Sequence, residues 1–325
     1  MKRRMILASS LASTMLSWTA AAQSPGRLAR IGWLTAQRSE SLAYYLSALR
    51  EGLGDYGYEL GRNLVIEYRY GNDSIERVSE LAAELVRLPV DLIVVQGAAV
   101  TVVSKLGLPV PIVYTLSGDP VSTGLADSLA RPRGNMTGMT FMAAELNSKR
   151  LELLRDIVPD LRRVALVANP QHAGEHLERA NAQEAAQRLG LELDYFPVRS
   201  KDELASAMGA IIARPPQAVS LFADGFAIQH RQTIIDAAMS CRAPVISGWS
   251  VFARSGAICT YGPRLEASYR RLAYFIDRVL NGTKPSDLPI EQPTLFELVI
   301  NLRTAKALGI TIPPSILARA DEVIE

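Results

Sequence analysis

The chain has 325 residues, of which 48% are hydrophobic and 21% are charged. At roughly 150 residues per domain this length predicts about two domains, and the composition excludes a disordered, collagen-like or coiled-coil protein. Thirty-five basic against 33 acidic side chains leave no surplus for neutralising phosphates, so nucleic acid is not an expected partner.

The first 22 residues have the pattern of a secretory signal peptide. Lys2, Arg3 and Arg4 precede an apolar run too short to span a bilayer comfortably, and small residues of the A-x-A type follow at 20–22. We predict cleavage after Ala22 and export to the periplasm. An uncleaved membrane anchor is the alternative.

Cys241 and Cys259 are the only cysteines, and neither lies near the cleavage point, which argues against a lipid-anchored protein. Export permits a disulfide, but one cysteine falls at a predicted helix end and the other inside a predicted strand, so their pairing stays open. Neither His230 nor the pair His172 and His176 has the spacing of a zinc site, and that pair fits a solvated helix face better. No metal and no cofactor are expected.

From residue 31, short apolar runs alternate with amphipathic segments, a pattern typical of parallel strands joined by crossover helices. In the first half it predicts strands at 31–34, 64–70, 91–96 and 111–116, with helices at about 41–56, 75–88 and 98–106. Asp73 with Glu76 resembles a capping box, which would start the second of these helices.

The alternation breaks after residue 116, passes through an extended piece at 136–142, and restarts with a helix at 148–157. It then predicts strands at 164–168, 191–198, 218–223 and 244–247, and helices at 175–189, 201–213 and 228–241, the helix from 201 following a Ser200/Glu203 capping box. The same rhythm thus occurs twice. We predict an α/β protein with two Rossmann-like, doubly wound lobes instead of one long sheet.

The tail differs, with a short strand at 258–261, a long helix at 264–281 and a further strand at 297–301. A helix left over after the second lobe can complete the first, which would make the lobes discontinuous and join them by a hinge. We assign 28–118 with about 264–292 to lobe 1 and about 142–260 to lobe 2. The lobe of the C-terminal strand and helix, 293–325, stays open.

Candidate site residues follow from the position of the loops. In doubly wound sheets, ligands bind beyond the carboxyl ends of the strands, near the point where the strand order reverses. The loops there are rich in hydroxyl, amide and glycine residues with a few aromatics, which suits a small polar or aromatic molecule. The candidate ligand contacts are Thr35, Gln37, Gln96, Gly97, Ser117, Asp119, Asn169, Asp224, Phe226, Trp249 and Tyr261.

Four of these candidates have a structural alternative. Asp119 follows an apolar strand and either pairs with an amino or hydroxyl group of a ligand or forms an Asx-turn or helix cap. Asp224 is favoured as a helix cap over a ligand contact. Trp249 either stands against a ligand or packs between the lobes, and Tyr261 either walls the cleft or braces the hinge.

Catalytic motifs are sparse. The sequence has no G-x-S-x-G elbow, P-loop or H-E-x-x-H motif, and no G-x-G-x-x-G follows the first strand. No serine, histidine and aspartate are expected to meet at the loop ends. We therefore predict that the protein is not an enzyme.

Six stretches resemble one known family. They are I-E-Y-R-Y (66–70), L-A-A-E-L-V-R-L-P-V-D-L-I-V (81–94), G-D-P-V (118–121), S-L-A-R-P-x-G-N-x-T-G (128–138), Y-G-P (261–263) and F-E-L-V-I-N-L-x-T-A-K-A-L-G-I-T-I-P-P-S (296–315). With these motifs the chain resembles the ABC transporter substrate-binding proteins of the tryptophan/tyrosine-binding type, from about residue 29 to the C-terminus. The resemblance implies the type I periplasmic binding fold, in which two lobes close over a small solute.

The resemblance also implies the function and its partners. We expect a monomeric periplasmic component of an ABC importer that captures an aromatic amino acid or related aromatic compound and delivers it to a membrane permease with its ATPase. Two loops depart from the usual pattern: Gln96-Gly97-Ala98 stands in place of a Gly-Thr-Pro-like turn, and Asp224-Gly225-Phe226 in place of Asp-Pro. A solute-sensing protein that feeds a membrane receptor and an exported α/β enzyme are the alternatives.

Overall fold

The computed structural model describes residues 28–41, 43–141 and 146–325. The predicted signal peptide lies outside these residues. Two separate sheets flanked by helices confirm the predicted pair of α/β lobes. In the part of the chain that is described, no helix is long and apolar enough to cross a membrane.

The first seven strands are β1 (Ala29–Thr35), β2 (Leu64–Tyr70), β3 (Leu92–Gln96), β4 (Ile112–Leu116), the short pair β5 (Ala126–Ser128) and β6 (Arg131–Pro132), and β7 (Met136–Thr140). Five of them form the first sheet, which is entirely parallel and has the strand order β2-β1-β3-β4-β7. Its register places Thr35 beside Gln96, and Gln96 beside Thr115, at the carboxyl ends of three neighbouring strands. Since β7 is the fifth strand of this sheet, the boundary of lobe 1 at residue 118 is too early.

Three helices connect these strands: α1 (Ala43–Asp55), α2 (Val78–Arg87) and α3 (Ala99–Val103). The predicted capping box at α2 is wrong. The residue before the helix is Arg77, without a side-chain cap, and the Ser74 hydroxyl donates to Glu76 instead. Asp73 lies in a left-handed turn, with φ of 71°, so the chain is still turning where the sequence predicts the helix start.

The second sheet has seven strands: β8 (Arg163–Ala168), β9 (Glu192–Pro197), β10 (Ala218–Leu221), β11 (Val245–Ser247), β12 (Cys259–Pro263), β13 (Phe296–Asn301) and β14 (Glu322–Ile324). Their order in the sheet is β14-β13-β12-β11-β10-β8-β9. The five strands β9-β8-β10-β11-β12 repeat the order of the first sheet, and β13 then pairs antiparallel with β12. The strands of the unassigned segment 293–325 thus belong to the second sheet.

The remaining helices are α4 (Leu146–Ile157), α5 (Glu175–Leu189), α6 (Lys201–Ala213), α7 (Gly225–Gln229), α8 (Arg231–Ser240), α9 (Ser250–Arg254), α10 (Leu265–Leu280), α11 (Leu302–Leu308) and α12 (Pro314–Leu317). Ser200 caps α6 by accepting the Glu203 N–H at 3.2 Å, but the Glu203 carboxylate returns to the Arg199 N–H, so half of the capping box is present. The helix predicted at 228–241 is two helices, divided at His230. Cys241 and Cys259 are free thiols.

Helix α10 returns to the first lobe. It packs against α1 so closely that a Cβ atom added to Gly52 would lie 2.4 Å from the Arg270 carbonyl oxygen. Arg270 also pairs with Asp55 of α1 at 2.8 Å. The chain therefore passes between the lobes three times: between β7 and α4, between β12 and α10, and before β13.

Candidate functional site: the cavity between the lobes

A cavity of about 400 Å³ lies between the two sheets, a size typical of small-molecule sites. Thr35 and Gln96 reach it from the ends of β1 and β3, and Asn169 and Asp224 from the loops after β8 and β10. In both sheets these strand pairs mark the point where the strand order reverses. The two lobes therefore present the equivalent edge to the same space.

Nine of the eleven candidate residues line this cavity: Thr35, Gln37, Gln96, Gly97, Ser117, Asn169, Asp224, Phe226 and Trp249. Asp119 and Tyr261 do not. The Asp119 carboxylate accepts the Val121 N–H at 2.9 Å, which is the Asx-turn alternative. Tyr261 lies in β12, and its carbonyl oxygen accepts a hydrogen bond from Arg150 Nε at 2.9 Å.

The polar part of the cavity is held in place by hydrogen bonds. The Thr35 hydroxyl donates to Gln96 Oε1 at 2.7 Å and accepts the Gln37 N–H at 3.2 Å. On the other lobe, Asp224 caps α7 by accepting the Ala227 N–H at 2.7 Å. Its second oxygen accepts from Asn169 Nδ2 at 3.0 Å, so Asp224 is both a helix cap and part of the cavity wall.

Aromatic side chains form the other walls. Tyr45 and Tyr269 stack with centroids 5.1 Å apart, and Phe141 lies 5.9 Å from Tyr269. These three residues join Phe226 and Trp249 around the cavity. Burial raises the pKa of Tyr269 to about 12, and the adjacent Thr115 and Gln96 side chains oppose this shift. The Tyr269 hydroxyl is therefore un-ionised at neutral pH.

Sequence reasoning missed Tyr45, Phe141 and Tyr269. Tyr45 and Tyr269 lie on the buried faces of α1 and α10, where their spacing indicates core packing alone. Phe141 directly follows β7, a strand whose sheet the sequence did not predict. The sequence does show aromatic residues on the apolar faces of both helices. They can be assigned to the cavity only once it is known that these faces pack against the carboxyl ends of the strands.

Several contacts cross from one lobe to the other. The Ser117 hydroxyl and His172 Nε2 are 2.6 Å apart, and the Ser41 hydroxyl donates to Gln229 Oε1 at 2.6 Å. The Arg254 guanidinium lies over the Tyr44 ring, 5.7 Å from its centroid. These contacts join loops and helices of opposite lobes, so the structure has the lobes closed on the cavity.

His172 belongs to a buried network, which corrects one prediction. Its Nδ1 lies 3.6 Å from Glu178 Oε2, and both side chains are 9% exposed, so His172 is not on a solvated helix face. A serine and a histidine do come together, Ser117 with His172, and the acid beside them is Glu178 instead of an aspartate. Burial raises the pKa of Glu178, while the neighbouring His172 and Arg150 side chains oppose that shift.

The family follows from comparison of this chain with known proteins. Residues 36–324 match the family described as ABC transporter substrate binding protein. The chain belongs to this family. The predicted resemblance is thereby confirmed, and the type I periplasmic binding fold with it.

Three similar proteins show which named and solved proteins this chain resembles. It is 22% identical over 260 residues to the tyrosine-binding protein of Clostridioides difficile, covering 79% of this chain and 74% of that one. An ABC domain from Streptococcus pneumoniae in complex with L-Trp matches with a TM-score of 0.84 at 23% identity, covering 91% and 99% of the two chains. The ligand-free, open structure of a substrate-binding protein with adhesive properties from Clostridium difficile matches with a TM-score of 0.66 at 20% identity. The match covers 91% of this chain and 99% of that one.

Proposed function

We propose that this substrate-binding protein is the exported, solute-capturing component of an ABC importer and that its solute is an aromatic amino acid or a closely related aromatic compound. The observation that carries the proposal is the cavity between the lobes, with aromatic walls at Tyr45, Tyr269 and Trp249 and neutral hydrogen-bonding groups at the strand ends. The names of the similar tyrosine-binding and L-Trp-bound proteins support the same class of solute. The permease and its ATPase are the proposed partners.

Capture depends on contacts from both lobes. A solute that first binds the Thr35–Gln96 edge gains the ring contacts of Phe226 and Trp249 only when the second lobe closes. These extra contacts exist in the closed form alone, and such a difference in affinity is what shifts the population towards closure. The aromatic ring is enclosed by the walls, and the polar groups of the solute face the strand ends.

Titration calorimetry and thermal shifts with L-tryptophan, L-tyrosine and L-phenylalanine test the proposal, with branched amino acids and nucleosides as comparison solutes. We expect saturable one-to-one binding of at least one aromatic amino acid. We also expect the unfolding temperature of the protein to rise when that amino acid is present. Binding confined to the branched amino acids or the nucleosides would refute the proposed solute class.

Trp249→Ala is expected to weaken binding about tenfold, because the ring that the second lobe places against the cavity is removed. The substitution is also expected to remove the change in tryptophan fluorescence that L-tyrosine causes in the wild-type protein. The other described tryptophan, Trp33, is fully buried in the core. Calorimetry and fluorescence measure the two effects. Trp33→Phe is the matched control and keeps the emission change; unchanged affinity in Trp249→Ala would remove Trp249 from the site.

Ser117→Ala is expected to weaken solute binding about tenfold. The substitution leaves His172 Nε2, in a side chain that is 9% exposed, without the hydroxyl that faces it across the cleft, and an unpaired buried group costs about 1–3 kcal/mol. The cost falls on the closed form, so the dissociation constant rises. Ser206→Ala is the control, because that hydroxyl donates to the Asp202 carbonyl oxygen on the exposed side of α6. Equal affinities of the two variants would contradict the role of this contact.

The Ser117–His172–Glu178 arrangement is the observation that favours the enzyme alternative. Its serine and histidine are at hydrogen-bond distance, but the 3.6 Å between His172 and Glu178 exceeds a hydrogen bond, and the serine comes from the lobe opposite the other two residues. We propose that the arrangement joins the lobes without catalysis. Mass spectrometry after incubation with the bound amino acid is expected to recover it unchanged, and a stoichiometric excess of product would establish an enzyme.

A further inference from the structure

Three residues of the cavity wall carry a buried side-chain atom without a hydrogen-bond partner among the described residues: Thr115 at Oγ1, His172 at Nδ1 and Gln37 at the side-chain oxygen Oε1. Of these atoms only Gln37 Oε1 is a pure acceptor, and Gln37 is 8% exposed. Buried side-chain oxygens in folded proteins are almost always hydrogen-bonded, so an exception on the wall of a binding cavity points to a donor that the solute brings. The oxygen can only accept a hydrogen bond.

The segment that carries this amide is fixed from two sides. The Gln37 N–H donates to the Thr35 hydroxyl at 3.2 Å, and its carbonyl oxygen accepts the Asn72 N–H at 3.3 Å. The amide itself reaches the other lobe, since a Cβ atom added to Gly225 would lie 1.8 Å from Gln37 Nε2. One amide therefore has its nitrogen against the second lobe and a buried acceptor oxygen without a partner, on a residue of the cavity wall.

The charge around Gln37 favours a cationic donor. Asp73 and Glu76 line the same side of the cavity, and the Asp73 N–H donates to the Ala36 carbonyl oxygen at 2.7 Å, which binds their loop to the Gln37 segment. Arg38 pairs with Asp73 at 2.7 Å. The Ser74 hydroxyl lowers the pKa of Glu76, which is therefore ionised at neutral pH. Arg199 also lines the cavity, but the acidic side chains Asp73, Glu76 and Asp224 outnumber it, so the lining favours an ammonium group over an anion.

We infer that Gln37 selects solutes that carry an amino group: its Oε1 accepts a hydrogen bond from the solute ammonium, and its contact with Gly225 couples that bond to lobe closure. The inference rests on the proposed function and specifies it further. Gln37 is thus a specificity-determining residue of the site. An aromatic acid that lacks the amino group would leave the oxygen unpaired in the closed form.

The test uses two pairs of probes that differ only by the amino group: L-tryptophan with indole-3-propionate, and L-tyrosine with 3-(4-hydroxyphenyl)propanoate. The purified wild-type protein is expected to bind the amino acid of at least one pair about tenfold or more tighter than its partner, since hydrogen bonds to charged groups are the stronger kind. In Gln37→Leu we expect that ratio to fall to about one, through weaker binding of the amino acid.

Two further variants make the result decisive. Gln37→Glu keeps an acceptor oxygen and is expected to retain the preference, while Gln187→Leu, on the exposed side of α5, is expected to leave it at the wild-type value. A wild-type protein that binds both members of a pair equally, or a preference that survives in Gln37→Leu or disappears in Gln37→Glu, overturns the role of Gln37 and leaves the proposed solute class intact. A wild-type protein that binds none of the four probes and also fails to bind L-phenylalanine refutes both.

Discussion

Replacing Gly118 by alanine is expected to hold the two lobes apart and to weaken solute binding about tenfold or more. A Cβ atom added to Gly118 would lie 2.7 Å from the Cβ of Ala173 and 3.0 Å from its carbonyl carbon, both on the opposite lobe. Backbone cannot move aside as the end of a side chain can, so the closed form must shift. Overpacking of this kind costs about 1–3 kcal/mol, and it is absent when the lobes separate.

Calorimetry measures the affinity of Gly118→Ala, and small-angle scattering with and without solute measures closure. The matched control is Gly209→Ala in α6, where an added Cβ meets nothing within 4 Å. Alanine there favours the helix by about 1 kcal/mol, so we expect a slightly higher unfolding temperature and an unchanged affinity. If Gly118→Ala binds and compacts like the wild-type protein, the contact between Gly118 and Ala173 does not limit closure.

The polar half of the site could be predicted from the sequence because strand ends follow simple geometry. Thr35, Gln96 and Ser117 each lie at or just after the end of an apolar run, and parallel strands bring such ends to one edge of a sheet. The same rule placed Asn169 and Asp224 on the second lobe. This prediction needs only the order of the elements, which hydrophobic periodicity supplies.

The aromatic half could not be predicted, because it depends on how distant elements pack. Tyr269 reaches the cavity only because α10 crosses back to the first lobe and lies against α1, which carries Tyr45. His172 and Glu178 are six residues apart, and they can meet only because the chain turns before α5 begins. Ser117, which faces His172, lies on the other lobe. Periodicity contains no information on such contacts.

Tyr269→Ala is expected to destabilise the protein by about 3–5 kcal/mol and to abolish high-affinity binding, because one ring serves both the core and the site. Tyr269 is 1% exposed. The centroid of its ring lies 5.1 Å from that of Tyr45, 5.9 Å from that of Phe141 and 6.4 Å from that of Trp33. Its removal leaves a hole that these rings cannot fill without losing their mutual packing. Urea unfolding followed by circular dichroism measures the loss of stability.

Tyr274→Ala, five residues further along α10, separates this effect from a general loss of helix stability. The Tyr274 ring is only half-buried and lies beneath the Arg271 guanidinium, 3.9 Å from the centroid, so its removal is expected to cost about 1 kcal/mol and to leave the affinity unchanged. Comparable losses in both variants would mean that α10 stabilises the first lobe through its length and not through the aromatic cluster. A Tyr269→Ala protein that is destabilised but binds the aromatic amino acid normally would place the solute ring elsewhere in the cavity, against Phe226 and Trp249 of the second lobe.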